Sequence, residues 1–177
     1  GWSSGQGRYA NETADGVGGA AAFQDGSIVT LDNVTAYDNQ AFGGTAAREA
    51  GGAFGGSFKA EGTPWYADAV TNVTITHSDF RQNRVTGANG AIGGLAQGGA
   101  IETLHASLTL RDSYIVQNFS TGGNGTEAQG AAGGGGLTLG NITNSDSTVT
   151  LVNNLIANNE VRAGAGPIAG GGGGGIW

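Results

Sequence analysis

Acid–base cleavage of a polysaccharide needs two carboxyl groups held across the scissile bond, commonly with a basic residue beside them. The side chains here that could serve are Asp32, Asp38, Asp79, Asp112 and Glu102, with Arg81, Arg111 and Lys59 as basic partners. They are scattered along the chain, so any joint action depends on what the fold brings together. His77 and His105 could act as general bases, but no Asp-His-Ser arrangement follows from chain order, and both fall in or beside stretches of strand character. Exposed strand histidines are the expectation. The chain has no cysteine, which removes disulfides, zinc–thiolate sites and thiol nucleophiles together.

Asp- and Asn-rich turns could supply oxygen ligands to calcium, yet the nonapeptide pattern of calcium-binding β-rolls is absent, and no metal or other cofactor is expected. Glycine runs such as AAGGGG lack both the strand-loop-helix context and the lysine of a phosphate cradle. Close packing of backbone against backbone is the better reading of them. The acceptor pattern for N-linked sugar occurs at Asn11, Asn33, Asn72, Asn118, Asn124 and Asn141. Of these, Asn33, Asn72, Asn124 and Asn141 are the candidates for glycosylation, since they sit at expected turns or loop edges. Trp65 and Tyr66 form a candidate recognition loop.

What must position these residues is a repeat. Val-Thr-Leu or a close variant is followed after seven residues by asparagine in VTLDNVTAYDN, VTITHSDFRQN, LTLRDSYIVQN and VTLVNNLIANN, which end at Asn39, Asn83, Asn118 and Asn159. The third, apolar residue of each (Leu31, Ile75, Leu110, Leu151) lies eight residues before its asparagine. A second phrase, two glycines, a small residue and usually a bulky one, is read at Gly18, Gly51, Gly98, Gly134 and Gly173, with steps of 33, 47, 36 and 39 residues. Such periods signal a stacked array.

Strands of four to six residues between glycine and asparagine turns predict an all-β fold, a right-handed parallel β-helix of about four to five coils. Val29, Leu31, Val73, Ile75, Leu108, Leu110, Val149 and Leu151 are expected inside it; Thr30, Thr74, Thr109 and Thr150 are expected outside. The four asparagines should stack at one turn with side chains inward, where asparagine tolerates left-handed backbone and its amide can bond the next coil's asparagine. KAEGTPWYADA at 59–69 and GNITNSDS at 140–147 interrupt the pattern and are expected to bulge as loops. YANE around Asn11 resembles IANNE around Asn159, which makes Asn11 a candidate further rung.

Gly98-Gly99-Ala100-Ile101 and Phe80-Arg81-Gln82-Asn83 match the GGAI and FxxN phrases of parallel β-helix repeats in bacterial surface proteins of the polymorphic outer-membrane type; Ile115 to Asn118 and Ile156 to Asn159 match with Ile for Phe. The chain resembles that group over roughly residues 18–176. The resemblance implies a right-handed parallel β-helix and an extracellular or cell-surface place. Adhesins, passenger domains and enzymes share these phrases, so they encode a coil and not an activity.

A net charge of −7 has the wrong sign for tracking phosphates, so nucleic acid is not an expected partner. No stretch is apolar enough to span a membrane as a helix. The 177 residues fit one β-helical domain, expected to be a segment or subunit of a longer rod that associates end to end. No two of the carboxylates share a repeat position in neighbouring units, which speaks against paired catalysis. The leading functional expectation is therefore a non-catalytic structural or adhesive protein. The alternatives are a polysaccharide lyase or hydrolase on the same scaffold, favoured by clustered carboxylates on one face, and a glycan-binding module, favoured by aromatic rings beside a groove.

Overall fold

The computed structural model describes residues 2–4, 14–62, 70–140, 148–167 and 171–177. It is a right-handed parallel β-helix without helices among the described residues. Successive coils visit the first five sheets in the same order, and all pairing among the described residues is parallel. The first sheet holds Gly16–Val17, Ala53–Phe54, Ala96–Gln97 and Ala132–Gly133, and the second Ala21–Gln24, Phe58–Glu61, Ile101–Leu104 and Leu137–Gly140. The Val-Thr-Leu strands Ile28–Asp32, Thr71–Thr76, Ala106–Arg111 and Val149–Val152 make the third. Thr35–Tyr37, Asp79–Arg81, Tyr114–Val116 and Leu155–Ala157 make the fourth. Trp2–Ser4, Gln40–Phe42, Arg84–Thr86, Phe119–Thr121 and Glu160–Arg162 make the fifth, and Gly90–Ile92 with Gly125–Ala128 a short sixth.

Register follows the repeat. Leu31, Ile75, Leu110 and Leu151 are direct partners in successive coils, flanked on the other face by the column Thr30, Thr74, Thr109, Thr150. Because side chains alternate along a strand, this register sends every third-position apolar residue inward. Phe58, Ile75, Phe80, Ile101, Leu108, Leu110, Ile115 and Leu137 pack into one core between the second, third and fourth sheets. The ring of Phe80 meets that of Phe58 edge-on at 5.5 Å.

The other half of the cross-section is built differently. Between the first and fifth sheets the interior is alanine and valine: Ala41, Ala53, Val85, Ala96 and Ala132. Beyond them the backbone fills the space itself. The amides of Gly51, Ala88, Gly94, Gly123 and Gly130 donate in turn to the carbonyls of Gly44, Gly51, Ala88, Gly94 and Gly123 at 2.8–3.1 Å, a zigzag climbing the rod from wall to wall. A Cβ on Gly123 would stand 1.8 Å from the Ala88 carbonyl oxygen, so only glycine permits this approach. Here the glycine content has a definite physical use.

Several expectations are corrected. In the second coil the glycine phrase is Gly55-Gly56-Ser57-Phe58, not the one at Gly51, because Phe58 pairs with Ala21 and Ile101, while Ala53 pairs with Gly16 and Ala96. Gly18, Gly55, Gly98 and Gly134 share positive φ (56°, 64°, 66° and 50°), the conformation this corner demands. Residues 59–61 belong to a strand, with Lys59 and Ala60 buried, so the expected insertion does not begin at 59. Residues 63–69 and 141–147 lie outside the described residues, and with them Trp65, Tyr66 and Asn141. Trp2 pairs with Gln40, the residue after Asn39, and Asn11 lies outside the described residues.

Candidate functional site

The corner between the fourth and fifth sheets is shaped by the asparagine ladder. Asn39 Nδ2 donates to Asn83 Oδ1, Asn83 Nδ2 to Asn118 Oδ1 and Asn118 Nδ2 to Asn159 Oδ1, each at 2.9 Å. The backbone amides of Asn39, Asn83 and Asn118 donate to the same three oxygens. The second amide hydrogens of Asn83, Asn118 and Asn159 close on the carbonyls of Ala36, Phe80 and Ile115. The left-handed residue of this turn is the one before each rung: Asp38, Gln82, Gln117 and Asn158 have φ of 51–59°, and the ladder asparagines do not. That half-turn throws the side chain of the preceding residue outward while the asparagine points in.

The outward side chains line a groove. Asp38, Gln82 and Gln117 form one bank and Gln40, Arg84 and Phe119 the other, around a volume of about 400 Å³. The Arg84 guanidinium lies 5.2 Å from the Phe119 ring centroid, and Gln40 Nε2 donates to Asp38 Oδ1 at 3.1 Å. A smaller recess of about 120 Å³ continues it past Ser120 and Thr121 to Glu160 and Arg162. On the outer face of the fourth sheet next to it, Tyr37 and Tyr114 are 58% and 48% exposed. Arg81 stands over Tyr114 and is tied to Asp79 through Nε at 2.6 and 2.7 Å. The result is a polar trough with aromatic surfaces in and beside it.

The first corner, between the third and fourth sheets, gathers other candidates. Asn33, His77, Asp112 and Asn153 are its left-handed residues (φ 49–56°), so His77 is a turn residue and not a strand one. His77 Nδ1 lies 2.8 Å from Asp32 Oδ1, which also accepts from Thr76 Oγ1 at 2.6 Å. The bond from Thr76 and then that from His77 hold the Asp32 carboxyl below its usual range; the bond to Asp32, reinforced by Asp112, raises His77. Asn153 Nδ2 donates to Asp112 Oδ1 at 2.5 Å. The cluster is solvent-exposed and supplies no serine or second base in line. Behind it a hydroxyl ladder runs inward: Val34 N–H to Ser78 Oγ, Ser78 N–H to Ser113 Oγ, Ser113 N–H to Asn154 Oδ1. His105 is likewise left-handed (φ 50°), at the end of the second sheet, with a buried Nδ1.

Lys59 and Glu102, read as separate surface charges, are register partners on the second sheet and both buried. Burial raises the Glu102 carboxyl to about 8, against the opposing pull of Lys59. Arg111 is exposed, and in the first corner its carbonyl accepts from Ser113 Oγ at 2.7 Å and from the His77 amide at 3.2 Å.

Among the sugar-acceptor candidates, Asn33 is an exposed turn residue and Asn72 an exposed second residue of its strand, its Nδ2 bonded to Val70 O at 2.9 Å. Asn124 is exposed and accepts the Ala165 amide at 2.7 Å, while its own N–H donates to Asn89 Oδ1, a polar ladder that sequence reading missed. Asn118 is fully buried in the main ladder.

No family model, curated protein or solved structure matches this chain.

Proposed function

We propose that the chain is a non-catalytic, extracellular adhesive β-helix that binds glycan chains along the groove of the ladder corner. The observation that carries this is the lining of that groove: one aromatic ring, three glutamine amides, a guanidinium and a carboxylate on adjacent coils. A sugar ring presents an apolar face that stacks on an aromatic ring and a rim of hydroxyls that both donate and accept hydrogen bonds. Amide side chains answer both needs. Tyr37 and Tyr114 extend the stacking surface outside the groove.

Binding is favoured over cleavage because the main groove has a single carboxylate, Asp38, already accepting from Gln40, where acid–base hydrolysis needs an opposed pair. The extracellular place rests on the resemblance of the GGAI and FxxN phrases to bacterial surface β-helices. The test is retention of the intact chain on immobilised neutral and uronate-containing polysaccharides. Phe119→Ala and Arg84→Ala should each weaken retention by about tenfold, roughly 1.4 kcal/mol, with the circular dichroism spectrum unchanged. The length of the polysaccharide should stay constant on incubation. Absence of retention, or retention indifferent to both substitutions, would overturn the reading.

A further inference from the structure

The second sheet carries a buried group that the groove does not use. Its outward column is Ala22, Lys59, Glu102 and Thr138 in successive coils. Outward positions of a solenoid wall are normally wet, yet Lys59 is 7% and Glu102 2% exposed. Lys59 Nζ lies 3.1 Å from Glu61 Oε2, 3.9 Å from Glu102 Oε2 and 4.8 Å from the Phe54 ring centroid. Glu102 Oε2 is buried with no hydrogen-bond partner. A lysine and a carboxyl group excluded from water would ordinarily close to hydrogen-bonding distance. Here the ammonium is held by Glu61, and Glu102 Oε2 stands beside it without a hydrogen bond.

We propose that Lys59 and Glu102 are joined by an intramolecular amide bond, Nζ to Cδ, that ties the second coil to the third. Glu61 takes one proton from the Lys59 ammonium, and the freed amine lone pair attacks Cδ of the Glu102 carboxylic acid. The C–N bond forms, a C–O bond breaks, and the departing hydroxyl leaves as water with the second nitrogen proton, relayed by Glu61. The products are one amide, one water and a protonated Glu61; no oxidant, reductant or activating group is consumed. Three features of the site serve this step. Register fixes nucleophile and electrophile on adjacent strands, which replaces a bimolecular encounter by an oriented contact. Burial keeps Glu102 in the acid form that amide formation requires. Exclusion of water opposes the reverse hydrolysis. Asp15 and Glu61 are the other carboxylates that act on Glu102, and only Glu61 touches the amine.

Intact mass of the purified, folded full chain under denaturing conditions decides the matter. The expected result is the sequence mass less one water, with a branched peptide joining the segments of Lys59 and Glu102 in a protease digest. Glu61→Ala retains both partners and should return the mass to that of its plain sequence, as should Lys59→Arg. A wild-type chain at full sequence mass with both residues in linear peptides would overturn the proposal. So would a water loss mapped instead to a cyclic imide at Asp15-Gly16 or Asp25-Gly26. The wild-type measurement suffices if a variant fails to fold.

Discussion

Asn83→Ala tests the ladder at its most enclosed rung. Asn83 is fully buried, and its Oδ1 accepts from the Asn39 amide nitrogen at 3.1 Å and from Asn39 Nδ2 at 2.9 Å. Its Nδ2 donates to Asn118 Oδ1 at 2.9 Å and Ala36 O at 3.0 Å. Truncation leaves Asn118 Oδ1 its bond from the Asn83 backbone and leaves the Ala36 carbonyl in its parallel ladder with the fourth-sheet strand of Phe80, but it takes the acceptor from both the Asn39 N–H and Asn39 Nδ2. Each buried polar group left unpaired costs about 1–3 kcal/mol, so with partial relaxation the loss should be about 2–5 kcal/mol. That is a large share of the ~5–15 kcal/mol typical of a folded domain. In urea, with a slope of about 1–3 kcal/mol/M, the midpoint should fall by roughly 1–2 M at unchanged slope. A fall under about 0.3 M would refute the argument that the ladder is a structural necessity. Asn83→Asp sharpens the test. It keeps the acceptor toward Asn39 and sets a carboxyl oxygen against Asn118 Oδ1 and Ala36 O, which raises its pKa above the ordinary value of about 3.9. For an acid raised in the folded state, stability is greatest at low pH and falls as pH climbs from the unfolded toward the folded value. The destabilisation of Asn83→Asp must therefore grow with pH, whereas that of Asn83→Ala must not.

Other outcomes follow from single positions. Gly98→Ala, at φ 66° with its Cβ 2.4 Å from the Ile101 carbonyl oxygen, should lose at least about 1–2 kcal/mol in the same urea assay, while Gly171→Ala, with nothing within 4 Å, should be close to neutral. By NMR titration His77 should ionise above its usual value, and Asp32→Asn should bring it back down. Because the His77 value is raised on folding, its contribution to stability is present below about pH 6.5 and is lost as pH rises through the folded value. A His77 titration indifferent to Asp32→Asn would remove that contact.

The fold was legible because two constraints of a coil write themselves into local sequence. Alternation in VTITH and LTLRD follows from one face being buried, and the eight-residue step from Ile75 to Asn83 follows from a strand, a left-handed corner and a second short strand. The second coil shows where this stops. GGAF at Gly51 and GGSF at Gly55 are equal as phrases, and only the need for positive φ at the corner separates them. Steps from Gly18 to Gly55 to Gly98 of 37 and 43 residues are more even than 33 and 47, and that evenness was the available signal. The displacement has a consequence: with the phrase set four residues early, Lys59 falls in an expected loop, and nothing in the sequence then pairs it with Glu102. The left-handed residue was misjudged for a related reason. Asparagine favours that conformation in isolation, but at the rung its side chain is needed inward, so the turn is given to Asp38, Gln82, Gln117 and Asn158 instead.

The groove was not legible at all, and the reason is physical. Its linings come from Asp38, Gln82 and Gln117 and from Gln40, Arg84 and Phe119, each 35 or 44 residues from its neighbour in the column, and no local pattern relates them. What places them is the ladder: an asparagine whose amide must point inward forces the residue before it into the left-handed region, and strand alternation then turns the residue after it outward. The coil fixes the direction of those two side chains and leaves their chemistry free. Asp, Gln, Gln and Asn occupy the first column, and Gln, Arg, Phe and Glu the second, without disturbing a bond of the ladder between them. A surface that is geometrically rigid and chemically unconstrained can be re-lettered for a new ligand without refolding. The same logic limits what may be changed. Arg84→Ala should alter recognition and leave the urea midpoint near that of the parent, since Arg84 contributes only an exposed side chain, while Asn83, one residue away, should do the reverse. Measuring both substitutions in both assays separates the two roles. Loss of glycan retention in Asn83→Ala at a temperature where it remains folded would mean that groove and ladder are coupled, and that their independence is wrong.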